Sequence, residues 1–75
     1  MKTEIELFVI ERAKEFRIKN KLSQADLAFK MNLSVGFIGK VESKVSSTKY
    51  NLNHINKLAH IFNVSPKEFL PYNTL

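Results

Sequence analysis

SQADLAFKMNLSVGFIGKVESK, residues 23–44, reads as two short helices joined by a tight turn. The Ser23 hydroxyl can accept a hydrogen bond from an unpaired first-turn amide, and Asp26 three residues on approximates a capping box. Leu27, Ala28 and Met31 then form one apolar face over about two turns. Asn32 tolerates the left-handed conformation that ends helices, Leu33 tucks inward, and Ser34 offers a second N-cap. The helix that follows, about 34–42, has Ile38 and Val41 as a buried stripe, while Val35, Gly36, Gly39 and Lys40 point elsewhere.

A cap, two turns, a three-residue turn and another cap describe a helix-turn-helix, the unit that lays its second helix in the major groove of DNA. An ordinary pair of helices in a bundle has the same pattern, so the spacing alone leaves both readings open.

The chain has 75 residues, enough for one small domain spanning 1–75, and a net charge of +5. Without cysteine there are no disulfides or thiolate ligands, so the fold must rest on an apolar core, and a reducing compartment, the cytoplasm, is expected. The start, MKTEIE, places acids where a signal peptide needs an apolar run, and no window is long enough for a membrane span. Charge is unevenly distributed. Residues 1–18 carry four basic and four acidic side chains, whereas residues 19–49 carry six lysines against Asp26 and Glu42. The excess therefore coincides with the helix pair, the footprint expected of a nucleic-acid binder, although solvated lysines are common on any small basic domain.

Outward from the pair, Thr3 and Glu6 predict a capping box for a helix over about residues 4–20, with Ile5, Val9, Ala13 and Phe16 on its core face. Leu7 and Ile18 fall on the opposite side, flanked by Phe8 and Ile10. They read equally as scattered surface residues or as a face for a second subunit. Leu22 closes the core. Residues 43–50, SKVSSTKY, lack helical periodicity and read as a loop. Asn51 caps a fourth helix whose Leu52, Ile55, Leu58, Ala59 and Phe62 keep a helical period until Asn63. Ser65, Pro66 and Glu68 announce a fifth helix, with Phe69 and Leu70 folding back before Pro71 stops it. No alternating strand pattern occurs, so the class is all-α.

Leu22-Ser23-Gln24-Ala25-Asp26-Leu27-Ala28, Asn32-Leu33-Ser34, Ile38 with Val41-Glu42, and Leu58-Ala59 with Phe62-Asn63-Val64-Ser65 resemble the phage-repressor-like (Xre or Cro type) helix-turn-helix family. The resemblance runs from about Arg12 to Leu70. It implies a compact five-helix domain that binds double-stranded operator DNA, usually as a homodimer, in transcription regulation such as repression. It also implies that Gln24 contacts a backbone phosphate, as do Ser34, Ser43, Lys44 and Lys49 around the turn and loop. Arg17 and Glu42 match the family's structural ion pair. Val35, Gly36, Phe37, Gly39 and Lys40 match positions that reach base edges, yet only Lys40 among them can make a paired hydrogen bond to a base. Three accounts of this departure stand: close backbone approach to the duplex, a groove face given over to a protein partner anchored by Phe37, or a core role for Phe37 with glycines that admit tight packing. The second corresponds to an antitoxin-like regulator that binds a toxin.

Catalysis finds no footing. His54 and His60 lie six residues apart on one helix and face about 120° away from each other. No nucleophile with a base, no metal site and no cofactor site can be assembled.

Overall fold

In the computed structural model, which describes residues 1–75, the chain forms four α-helices and no strand: α1 (Glu4–Lys19), α2 (Gln24–Met31), α3 (Val35–Glu42) and α4 (Leu52–Phe62). The expected fifth helix is a single 3-10 turn, Pro66–Phe69. Two local facts stop it from propagating. Pro71 confines Leu70 to extended backbone (φ −110°, ψ 148°), and the Glu68 carboxylate goes to Arg12 at 3.6 Å instead of back to the Ser65 amide.

Local chemistry sets the helix starts. Thr3 with Glu6, Ser23 with Asp26 and Asn51 with His54 form reciprocal capping boxes, and the Ser34 hydroxyl accepts from the Phe37 amide. The ends of α2 and α4 close on Asn32 (φ 58°) and Asn63 (φ 55°), both left-handed. After α1 the left-handed residue is Lys21 (φ 58°), a position where asparagine or glycine would be less strained.

One core of 13 residues joins the elements: Val9, Ile10 and Ala13 of α1, Leu27, Ala28 and Met31 of α2, Ile38 and Val41 of α3, Ile55, Leu58 and Ala59 of α4, and Tyr50 and Phe69 from outside them. Phe16 is half-buried, its ring 5.1 Å from that of Phe69 and 5.4 Å from that of Phe62. Three expected core residues are exposed instead: Ile5, Leu52 and Leu70. Ile5 and Leu52 sit in the first turns of their helices, and Leu70 follows the 3-10 turn. All three rim a shallow depression floored by Val9, Tyr50 and Ile55. Ile10, expected on a flank, is buried, while Leu7 and Ile18 face solvent. No helix is long and apolar enough to cross a membrane.

Candidate nucleic-acid interface

Helix α3 is oriented from below by a buried network. Arg17 of α1 grips Glu42 at the end of α3 with two of its three guanidinium nitrogens, Nε to Oε2 at 2.9 Å and Nη2 to Oε1 at 2.8 Å. The third donates to the Leu22 carbonyl at 2.9 Å, tying in the α1–α2 turn. The Glu42 side chain is only 4% exposed and that of Arg17 12%, so both charges are withdrawn from water and held by planar, charge-assisted bonds. Gln24, which opens α2, donates to the same Glu42 oxygen at 3.1 Å. One of its two N–H donors is thus spent inside the protein. The other, with the first-turn amides of α2 that have no intrahelical acceptor, is left for an anion at that helix start. The Asp26 carboxylate accepts from the Ser23 amide at 2.9 Å, and that bond, with the Ser23 side chain beside it, holds its pKa below the usual range.

On the outward side of α3, Val35, Gly36 and Lys40 are exposed and Gly39 is half-exposed. Neither glycine has a positive φ. A Cβ at Gly36 would find Ser34 Oγ at 3.9 Å as its nearest neighbour, and one at Gly39 would find Gln24 Oε1 at 3.5 Å, both ordinary contacts. The account in which the glycines admit tight packing within the domain therefore has no neighbour to support it. Phe37 turns the other way. Its half-buried ring lies 5.1 Å from His54 and 6.3 Å from Tyr50, packed against the core, where it props α3.

The expected phosphate contacts separate into three groups. Lys40 and Lys44 are exposed and have no ion-pair partner in the chain. Ser34 and Ser43 accept bonds from the Phe37 and Val45 amides, which leaves each hydroxyl proton free to donate. Lys49, by contrast, pairs with Glu6 at 2.6 Å, and that ammonium, with the Thr3 amide, brings the Glu6 carboxyl down to about 2. A phosphate would have to compete with Glu6 for it.

Sequence reasoning passed over the support beneath α3. Tyr50 sits in a stretch read only as loop, yet it is buried and stacks edge-on with His54 at 5.8 Å. Being the sole aromatic among loop hydroxyls was the available signal. Its own hydroxyl has no partner, and burial, with the Glu42 charge adding to it, raises its pKa. His54 is also the reciprocal partner in the α4 cap: its Nδ1 accepts from the Asn51 amide at 3.0 Å, which requires a neutral ring. Burial, and secondarily Lys57, lowers its pKa below 6.5. A base whose folded pKa is depressed contributes stability that is present above its unfolded value and lost as pH falls through it. Urea denaturation at about pH 7.5 and about pH 5.5 is therefore expected to show the parent losing stability on acidification, and His54→Gln losing less. Equal losses would remove His54 as the titrating group.

No three His, Cys, Asp or Glu side chains stand close enough together to hold a metal ion. A comparison with protein families matches residues 14–69 to a family described as helix-turn-helix. Comparisons with curated proteins and with solved structures found no match.

Proposed function

The chain belongs to the helix-turn-helix family of phage-repressor (Xre) type, and from that premise we propose that it is a sequence-specific DNA-binding transcription regulator that places α3 in the major groove. The observation that carries this reading is the two-sidedness of α3. Its inner side is fixed by the Arg17–Glu42 pair and by Phe37 on Tyr50 and His54, while its outer side presents Val35, Gly36, Gly39 and the unpaired Lys40. Lacking side chains at 36 and 39, the helix can sit deep against the duplex, with Val35 on thymine methyls and Lys40 on a guanine edge.

Around it, Lys44, the amides and free N–H at the start of α2, and the hydroxyls of Ser34 and Ser43 take phosphates, which position the domain without reading sequence. Lys49 joins them when DNA draws it from Glu6. The domain acts as a homodimer on a two-fold site, in the cytoplasm, with 1–75 as one functional unit and no cofactor. The antitoxin-like alternative, in which the recognition face binds a toxin, needs Phe37 as its anchor, and that ring is already engaged behind α3.

The test is selection of bound duplexes from a random pool at low and physiological salt. Enrichment of a symmetric site with half-sites about one helical turn apart supports a dimeric reader, and binding without enrichment would leave phosphate contacts alone. Absence of binding at low salt would remove the DNA reading. On the selected site, Lys44→Ala is expected to reduce the salt slope by about 0.9 without changing base preference. Lys40→Ala is expected to relax preference at one base pair by about 1–3 kcal/mol.

A further inference from the structure

Each helix but one closes its own C-terminal end through its backbone. The Lys21 and Leu22 amides return to Ile18 and Arg17 after α1, Asn32 and Leu33 to the last turn of α2, and Asn63 and Val64 to the last turn of α4. Helix α3 does not. Ser43 is extended (φ −78°, ψ 136°), and its amide alone bonds back, to Lys40 at 3.2 Å. This is also the helix with both glycines of the chain, the residue that most weakens a short helix.

The missing closure comes from the other end of the sequence. The Lys2 ammonium, just ahead of α1, donates to the Val41 carbonyl at 2.7 Å and to the Ser43 carbonyl at 2.6 Å, with the Lys40 carbonyl at 3.5 Å. Three N–H donors face three carbonyls at the negative end of the α3 dipole, the one place where a cation both satisfies unpaired acceptors and opposes the helix field. Lys2 forms no salt bridge that would divert it. Through Ser43 the same ammonium fixes the first peptide of the loop that carries Lys44.

We infer that Lys2 is a positioning residue for DNA binding: it completes the C-terminal cap of α3 and sets where Lys44 meets the phosphate backbone. The inference rests on the DNA reading above. It lies outside residues 14–69, the segment matched to the family, and Lys2 itself touches no DNA, its donors being turned inward.

Lys2→Gln and Lys2→Arg, compared with the parent, test it by two readouts. Backbone amide exchange in the free protein is expected to quicken by about tenfold or more in Lys2→Gln at Ser43 and Val45, whose amides bond to the Lys40 carbonyl and the Ser43 hydroxyl, beyond any global change, and to stay near the parent in Lys2→Arg, which keeps charge and donors. Affinity for the selected duplex is expected to fall about five- to tenfold in Lys2→Gln with an unchanged salt slope, and to recover in Lys2→Arg. Unchanged exchange at those amides, or unchanged affinity while the parent binds, overturns the positioning role. A salt slope lower by about 0.9 also overturns it, by making Lys2 a phosphate contact. Failure of the parent itself to bind any duplex overturns the DNA reading, and is recognised separately because it does not depend on the variant.

Discussion

Arg17→Ala is expected to remove about 3–5 kcal/mol of folding stability, because it leaves the Glu42 carboxylate buried with only the Gln24 amide beside it. For a chain of 75 residues, whose total stability is on the order of 4–11 kcal/mol, such a loss brings the domain to or near unfolding at ordinary temperature. The cause is desolvation rather than the attraction itself. An exposed pair of the same residues would be worth about 0.2–1 kcal/mol, and a measured cost in that range would show that water reaches Glu42. The companion variant Arg17→Met/Glu42→Leu removes both charges at similar volume, and urea denaturation is expected to find it within about 1–2 kcal/mol of the parent. It also separates two roles. Stability restored while binding to the selected duplex stays low would assign the pair to aligning α3, since two apolar side chains cannot reproduce the planar grip that fixes the helix end.

How much of this could be read from the chain depended on the range of the interaction involved. Caps were legible because a hydroxyl or amide side chain and the amide it serves lie within three residues, so Thr3, Ser23, Ser34 and Asn51 announced their helices. Periodicity located the faces of α2 and α3 but overran the core at Ile5 and Leu52, since a repeat of 3.6 residues carries no information on where the neighbouring elements end. The fifth helix failed for a related reason: its start signals were present, but Pro71 left no room for a second turn. Arg17 and Glu42, 25 residues apart, were reached only through the family resemblance. Lys2 on α3 and Glu6 on Lys49 were not reached at all, because lysines carry no periodic signature and the partners lie 38 to 41 and 43 positions away along the chain. What the two glycines meet was likewise invisible until the space around them was known.

That space yields the second large expectation, in which stability and binding move in opposite directions. Gly36→Ala/Gly39→Ala should stabilise the free domain by about 1–2 kcal/mol, since about 0.8–1.0 applies to a glycine in a helix interior, as at Gly39, and less to Gly36, the second residue of α3. Neither position needs a left-handed backbone, and each new methyl meets only an ordinary contact, with Ser34 Oγ or Gln24 Oε1. Alanine is thus the better residue at both sites for folding alone, and a free surface gives no reason for glycine. Against a duplex the balance reverses. Residues 36 and 39 are one turn apart on the same face, so two methyl groups there hold the helix axis away from the base edges and lengthen the reach demanded of Val35 and Lys40 at once. Affinity for the selected site is expected to fall at least about a hundredfold, equivalent to about 2.7 kcal/mol, while non-specific binding through Lys44 and the α2 start changes little. A stabilised variant that binds its site as the parent does would rule out close approach as the reason for the glycines. A destabilised variant would return them to a packing role within the domain. The predicted combination, higher stability with lost specific binding, is the trade expected where a helix is weakened for what it docks against.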